Sequence, residues 1–213
     1  MNKKNINIGI IGLGYVGLPL AIEFGKKYPV VGFDKNKKRI NDLKKNIDNN
    51  DDVEKKEFYK SKKLVITDKE HLLENCNIYI LTVPTPINKN KTPNLKPIND
   101  ACNIISQYLK KNNIVILEST VYPGLTEEHV APLLEKKTNL KYNLEFFMGY
   151  SPERINPNDK IYNLINIIKI TSGSTLKISR FIDQLYKSII KAGTFNVKSI
   201  RIAEAAKVIE NAQ

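Results

Sequence analysis

The length and composition of the chain indicate one folded unit: 213 residues, 41% hydrophobic and 26% charged, suffice for a good-sized domain with a small appendage. No run approaches the roughly 18–20 apolar residues that a membrane helix needs, and the N-terminus lacks a signal-peptide apolar region, so we expect a cytoplasmic protein. The net charge of +12 comes from scattered lysines, which favours attraction of polyanionic small molecules over nucleic-acid binding.

Apolar, strand-like runs alternate with segments of helical period, which predicts an α/β fold with a doubly wound parallel sheet. In chain order the first predicted elements are a strand at 6–11, a helix at 18–28, a strand at 30–34, a helix at 36–46, a polar stretch with a short helix at 47–63, and strands at 64–67 and 78–82. A loop at 83–96 follows, and then a helix from 97, a strand at 114–118, a helix at 125–137, strands at 146–150 and 167–170, a helix at 174–190, a strand at 193–197 and a helix from 200. We therefore expect one unit at residues 1–197 and the start of a connecting helix at 198–213.

The last segment keeps a helical period up to Gln213, with no glycine, proline or other stop signal. Its apolar side chains recur on one face, at Ile202, Ala205, Ala206, Ile209 and Ala212. A helix that stops in mid-course is typical of a piece of a longer protein, so we expect further sequence beyond it.

The cysteines and histidines predict no metal site. Cys76 and Cys102 share no close spacing and suit a reducing compartment, without a disulfide or metal framework. His71 and His129 each lie in a polar, helix-like stretch, where a surface side chain is the more common situation.

A dinucleotide-binding fingerprint follows the first predicted strand. Gly12, Gly14 and Gly17 form a Gly-x-Gly-x-x-Gly pattern that opens a helix, and Asp34 ends the next strand, 22 residues after Gly12. In a Rossmann-like fold the glycines allow a tight turn, close approach of the pyrophosphate and close helix–strand packing, and the acid binds the adenosine ribose. The helix N-terminus attracts the phosphates. The alternative is a glycine-rich turn without a ligand.

Three further loops each follow a predicted strand: Thr-Val-Pro-Thr-Pro at 82–86, Ser-Thr-Val-Tyr-Pro-Gly at 119–124 and Ser-Pro-Glu-Arg-Ile-Asn-Pro at 151–157. The carboxyl ends of parallel strands are where ligands of this fold bind. Together with the opening Gly-Leu-Gly-Tyr-Val-Gly-Leu-Pro-Leu-Ala at 12–21, these segments resemble the UDP-glucose/GDP-mannose dehydrogenase family, in order and spacing and over the whole chain.

The resemblance implies an NAD-dependent enzyme that oxidises the C6 alcohol of a UDP-sugar to a carboxylate in two steps, through a cysteine-linked thioester. It assigns NAD binding to Gly12, Gly14, Tyr15, Val16, Gly17, Asp34, Arg39, Thr82, Val83, Pro84, Thr85, Ser119, Thr120 and Glu153. It also implies a homodimer of the full-length protein, formed in large part by the central helix whose first turns are at 198–213.

The resemblance further assigns four catalytic residues. Thr120 would hold a water or the reacting oxygen, and Glu153 would act as general base in thioester hydrolysis. Lys207 and Asn211 lie four residues apart on one helix face and would stabilise an oxyanion. Glu153 could instead cap a turn, and Lys207 and Asn211 could belong to a solvated helix surface. The substrate-binding assignments are Glu153, Arg154, Ile155, Asn156, Lys207 and Asn211.

Two positions depart from the family pattern. The nucleophilic cysteine of the family lies beyond the point where this sequence stops, and neither Cys76 nor Cys102 lies in a comparable motif. We therefore expect the 213-residue chain to bind NAD without turnover. Asn158 stands where related sequences often have glycine, which reduces loop freedom there.

The loop at 151–157 favours a 2-acetamido sugar. UDP-glucose enzymes more often carry a second acid four residues after the first glutamate, whereas here Pro157 follows Glu153 at that distance and Arg154 adds a donor fork. We expect a UDP-N-acetylgalactosamine or UDP-N-acetylglucosamine 6-dehydrogenase that serves surface polysaccharide synthesis. The alternatives are a UDP-glucose 6-dehydrogenase, another dehydrogenase with a helical second domain, and a stand-alone NAD-binding module.

Overall fold

The protein folds around an eight-stranded sheet in a computed structural model, which describes residues 6–154 and 164–212. The strands are β1 (Ile8–Ile11), β2 (Val30–Phe33), β3 (Leu64–Thr67), β4 (Ile78–Leu81), β5 (Asn113–Leu117), β6 (Phe146–Tyr150), β7 (Lys169–Gly173) and β8 (Thr194–Asn196). Their spatial order is β3-β2-β1-β4-β5-β6-β7-β8. The order turns back at β1, which confirms the predicted doubly wound α/β fold.

Seven α-helices cover the sheet in the described residues: α1 (Gly17–Gly25), α2 (Lys37–Lys44), α3 (Lys55–Lys60), α4 (Lys96–Ser106), α5 (Ala131–Thr138), α6 (Leu176–Lys187) and α7 (Ile200–Ala212). Short 3₁₀ helices lie at Glu70–Asn75 and Leu164–Asn166. Within the described ranges, every helix is too short or too polar to cross a bilayer.

The core has two halves because successive side chains of a strand point to opposite faces of the sheet. Ile8 and Ile10 of β1 pack with α1, α2, α3 and α6, whereas Ile11 packs with α4, α5 and α7. Ile200 and Ala203 of α7 belong to this second half and are buried. The first turns of α7 are therefore packed on the sheet.

Two strands, β7 and β8, run against the other six. The pairings among β1 to β6 are parallel, but β7 is antiparallel to β6, with Gly149 opposite Gly173 and Tyr150 opposite Ser172, and β8 is parallel to β7. The sequence predicted only parallel strands. Hydrophobic periodicity shows that a segment is extended and buried, and it carries no information about strand direction.

The bounds and types of several elements also differ from the sequence prediction. The strand predicted at 167–170 is β7, Lys169–Gly173, because Ile168 is half exposed while the polar Thr171 and Ser172 are buried. The 3₁₀ helix Glu70–Asn75 was not predicted. The helix predicted at 125–137 begins with a π-helical turn, Thr126–Val130. Pro132 has no N–H, so it cannot continue the regular hydrogen-bond ladder from that turn.

Candidate functional site

The loops that the sequence analysis singled out meet along one edge of the sheet. The glycine loop follows β1, Asp34 follows β2, residues 82–85 follow β4, Ser119 and Thr120 follow β5, and residues 151–154 follow β6. Because these five strands are parallel, their carboxyl ends share that edge. This is the edge at which ligands of doubly wound folds bind.

The backbone of the glycine loop takes a form that requires glycine at two positions. Gly12 adopts φ 98°, a conformation that L side chains rarely take. A Cβ at Gly17 would lie 1.9 Å from the Gly12 carbonyl oxygen, so only glycine allows α1 to start this close to β1. A Cβ at Gly14 would meet no atom within 4 Å, so the backbone there faces open space into which a phosphate fits.

Asp34 closes the far side of the glycine loop. Its Oδ2 accepts a 2.8 Å hydrogen bond from the Leu13 N–H, and its Oδ1 accepts one of 2.8 Å from the Asn36 N–H. The Arg39 Nε donates to the Leu13 carbonyl at 3.0 Å, which brings a guanidinium to the same turn. The carboxylate is therefore fixed beside the loop that would hold the adenosine end of a dinucleotide.

Arg39 is oriented by a buried partner. Its Nη1 donates to Asp48 at 2.6 Å, and the Asp48 carboxylate is almost fully buried. Its Nη2 is buried and has no hydrogen-bond partner among the described residues. The guanidinium is therefore fixed between Asp48 and Leu13, whose N–H donates to Asp34.

Residues 82–85 are tied to the neighbouring loops by side chains. The Thr82 hydroxyl lies 2.7 Å from the Gly12 carbonyl oxygen, and the Ser119 hydroxyl donates to the Val83 carbonyl at 2.6 Å. The Thr85 hydroxyl donates to the Thr120 carbonyl at 2.6 Å. The hydroxyls of residues 82 and 85, which the sequence analysis gave to the cofactor, here hold the loops together, while Pro84 is exposed at the surface.

Two residues of the fingerprint differ in exposure. Val16 is buried directly before α1, whereas the neighbouring Tyr15 in the glycine loop is 44% exposed. Burial of part of its ring, followed by the negative charges of Glu153 and Asp52, raises the pKa of Tyr15. Tyr15 therefore lies within electrostatic reach of the predicted general base.

Glu153 belongs to a buried ion cluster that the sequence analysis did not predict. Lys169 at the start of β7 donates to Glu118 Oε2 at 2.6 Å and to Glu153 Oε2 at 3.1 Å. The Tyr186 hydroxyl donates to the other oxygen of Glu118. Burial is the largest influence on Glu118 and raises its pKa to about 7.

Helix α7 brings further predicted residues to this edge. Lys207 is partly buried, and this burial lowers its pKa, against the opposing effect of Glu210 and Glu153. The Arg154 Nε donates to Glu210 at 2.7 Å, so the loop after β6 is joined to α7. Asn211 lies one turn after Lys207 in α7. The side chain of Asn211, together with Ile155 and Asn156, lies outside the described residues.

Glu204 anchors α7 to the loop that carries Thr120, and this residue was also missed. Its carboxylate is fully buried and accepts hydrogen bonds from the Gly124 N–H at 2.6 Å, the Thr126 N–H at 3.0 Å and the Thr126 hydroxyl at 2.6 Å. A charged residue at a buried position of an amphipathic helix was the signal that could have identified it.

A cavity of about 350 Å³ opens beside Thr120 and Thr85. Its other walls are mostly apolar, from the loops after β4 and β5 and from α7, and comprise Ile87, Pro93, Leu95, Val121, Tyr122, Leu125 and Val208. Thr120 itself is exposed, so a ligand at the sheet edge can reach its side chain.

The cysteines are placed away from this chemistry. Both are buried and unpaired, and burial raises the pKa of each thiol to about 12. His71 is exposed, and His129 is half-buried with its Nε2 2.8 Å from Asn99 Oδ1. Within residues 6–154 and 164–212, no three His, Cys, Asp or Glu side chains cluster as a metal site would require.

Residues 6–190 match the family model described as "UDP-glucose/GDP-mannose dehydrogenase family, NAD binding domain". The chain belongs to this family. NAD is accordingly its cofactor.

Relatives and solved structures extend the similarity. UDP-N-acetyl-D-glucosamine 6-dehydrogenases of Salmonella typhi and Pseudomonas aeruginosa are each 52% identical, over 98% and 99% of this chain and 49% and 50% of their own lengths. The structure of a UDP-D-ManNAc dehydrogenase from Pyrococcus horikoshii superposes with a TM-score of 0.87 at 32% identity, covering 97% of this chain and 50% of that one. The chain thus spans about half the length of these relatives.

Proposed function

We propose that this chain is the NAD-binding half of a UDP-N-acetylhexosamine 6-dehydrogenase, which oxidises UDP-N-acetylglucosamine or UDP-N-acetylgalactosamine to the uronic acid for surface polysaccharide synthesis. The observation that carries the proposal is the convergence of the glycine loop, Asp34, Thr120 and Glu153 on one sheet edge. The 52% identity to two UDP-N-acetyl-D-glucosamine 6-dehydrogenases supports the substrate class.

The cofactor would lie along the carboxyl edge of the sheet. The backbone at Gly14 and the N-terminus of α1 would hold the pyrophosphate, and Asp34 with Arg39 would hold the adenosine ribose. NAD, when bound, supplies the hydride acceptor, and oxidation of an alcohol to a carboxylate uses two NAD and one water. Thr85, Thr120 and the adjacent cavity continue this edge, where the reacting sugar carbon would lie.

The side chains at the far end of the edge provide acid–base and charge-stabilising groups. Glu153 would remove the proton from the water that hydrolyses the thioester after the second oxidation, which releases the carboxylate and the thiol, and Thr120 would orient that oxygen. Lys207 and Asn211 would stabilise negative charge on the reacting oxygen. Burial of Lys207 makes this stabilisation stronger than at a solvated surface, because the local dielectric constant is lower.

Arg154 is a less direct candidate for substrate contact than the sequence suggested. Its guanidinium is paired with Glu210 at 2.5 Å and 2.7 Å. A contact with the acetamido carbonyl would therefore share the guanidinium with Glu210. Ile155 and Asn156, the other predicted substrate contacts in this loop, remain predictions.

The proposal includes a homodimer of the whole protein. Ile202, Val208 and Ile209 of α7 are exposed apolar residues, at 50%, 43% and 62%, and an apolar helix face of this kind supports association. The two buried free cysteines suit a reducing compartment, which supports a cytoplasmic location. The proposed division of the chain is residues 1–197 for NAD binding and 198–213 for the start of the central helix.

The reaction class is tested with the purified whole protein, NAD and UDP-N-acetylglucosamine or UDP-N-acetylgalactosamine. We expect about two NADH for each sugar consumed and a product in which C6 is a carboxylate, measured by absorbance and mass spectrometry. A UDP-glucose 6-dehydrogenase would show this stoichiometry only with UDP-glucose. A stand-alone NAD-binding module would bind NAD and form no NADH with any of the three sugars.

A further inference from the structure

The antiparallel direction of β7 brings a lysine to the edge of the sheet at which β6 ends and the loop with Glu153 begins. A strand parallel to β6 would begin at the opposite edge of the sheet, whereas an antiparallel strand begins where β6 ends. Continuing the register of Tyr150 with Ser172 places residue 169 across from residue 153. The reversed direction of β7 therefore brings Lys169 to the loop that carries Glu153.

Lys169 is held on all sides. Its ammonium donates to Glu118 Oε2 at 2.6 Å, to the Pro152 carbonyl at 3.0 Å and to Glu153 Oε2 at 3.1 Å, which accounts for its three protons. Its side chain is 3% exposed. The other oxygen of Glu153 accepts a 2.6 Å hydrogen bond from the Arg154 N–H. Both carboxylate oxygens and the carbonyl before them are thus oriented.

The charges of the cluster support a stable ammonium. Burial alone would lower the pKa of Lys169, but the charges of Glu118 and Glu153 and their hydrogen bonds outweigh burial and raise it. On the far side, Tyr186 donates to Glu118, and its ring lies 5.9 Å from the Lys169 Nζ. The cluster keeps a positive charge next to a nearly buried Glu153.

We propose that Lys169 is a positioning residue, which orients the Glu153 carboxylate for its role as general base. This inference rests on the proposed function of Glu153. A general base must be unprotonated and correctly aimed at the moment of proton transfer. Glu118 and Tyr186 hold the lysine in place.

The alternative is that the cluster only stabilises the fold, since buried ion pairs occur without any catalytic role. The two explanations differ in what Lys169 changes. A structural role affects the amount and melting temperature of folded protein. A positioning role changes the turnover of each folded site.

The test compares variants of the whole protein with a UDP-N-acetylhexosamine and NAD. For Lys169→Met we expect kcat per folded site to fall at least tenfold and KM for both ligands to change less than about twofold. Lys169→Arg should recover most of the lost turnover. Lys187→Met is the matched control, because it removes a lysine paired with Asp183 at 2.7 Å on α6, and it should leave kcat unchanged.

A second variant covers the case in which Lys169→Met does not fold. Lys169→Met combined with Glu118→Gln removes both charges of the Lys169–Glu118 pair, which is the closer of the two pairs that Lys169 makes. The kcat of this double variant should lie at least tenfold below that of Glu118→Gln alone. A double variant whose turnover per folded site matches that of Glu118→Gln would overturn the proposal.

A measurement without turnover separates this inference from the proposed function. In the 213-residue chain, hydrogen exchange of the Arg154 amide should accelerate at least tenfold in the double variant, because that amide donates to the Glu153 carboxylate. If exchange accelerates but the whole protein oxidises no UDP-sugar, the proposed function is refuted while the positioning of Glu153 by Lys169 stands. Unchanged exchange would refute the positioning, whatever the activity.

Discussion

Glu204→Gln should destabilise the protein strongly, although it replaces one side chain by another of nearly the same shape. The Glu204 carboxylate is fully buried and accepts three hydrogen bonds, two from the backbone N–H groups of Gly124 and Thr126 and one from the Thr126 hydroxyl. A glutamine keeps one acceptor oxygen and turns the other position into a donor that faces a donor. Hydrogen bonds to a charged group contribute about 1.5–3 kcal/mol each.

Loss of the charge and of one acceptor should therefore cost about 3–5 kcal/mol of unfolding free energy. For a chain of this size about 1 kcal/mol corresponds to about 2–4 °C, so the melting temperature should fall by roughly 6–20 °C. Thermal and urea unfolding followed by circular dichroism measure this. Glu128→Gln is the matched control. Glu128 is largely exposed and pairs with Arg201, which lies on α7 as Glu204 does. This variant should change the unfolding free energy by less than about 1 kcal/mol. Equal melting temperatures for the two variants would refute the reasoning.

Three further predictions concern the cofactor, the buried cluster and turnover. Asp34→Ala should weaken NAD binding by about 1–2 kcal/mol, and the parent should prefer NAD to NADP because Asp34 repels a 2′-phosphate; calorimetric titration with equal or tighter NADP binding would contradict this. Burial raises the pKa of Glu118 from 4.5 to about 7, so its contribution to stability is complete below the unfolded value and is lost as the pH rises through about 7. As the pH rises from about 5 to about 8, the urea midpoint of the parent should therefore fall relative to that of Glu118→Gln. Midpoints that change with pH in the same way in both proteins would contradict the raised pKa of Glu118. The 213-residue chain should bind NAD without forming NADH, and Lys207→Ala in the whole protein should lower kcat at least tenfold; NADH formation by the chain alone, or an active Lys207→Ala enzyme, would count against these roles.

The sequence was sufficient for the architecture and the cofactor loop because both depend on local patterns. Continuous apolar runs indicate strands buried on both faces, and glycine spacing after a strand indicates a phosphate loop. Gly12 with φ 98° and the contact that leaves no room for a Cβ at Gly17 are the three-dimensional form of that spacing.

The direction of β7 and the ion cluster could not be obtained in the same way, because they depend on contacts between distant segments. Lys169 lies in an apolar run, between Ile168 and Ile170, and its partner Glu118 is 51 residues away. One local signal was present: Glu118 ends the strand predicted at 114–118, whose other residues are all apolar, and a charge at such a position requires a partner. That signal indicates the need for a cation and does not identify it.

The most direct test of the central claim is the ratio of kcat/KM for the whole protein on UDP-N-acetylglucosamine, UDP-N-acetylgalactosamine and UDP-glucose, each with saturating NAD. We predict that at least one N-acetylated sugar is preferred over UDP-glucose by tenfold or more, about 1.4 kcal/mol of transition-state discrimination. A tenfold preference for UDP-glucose over both would contradict the assignment to UDP-N-acetylhexosamines.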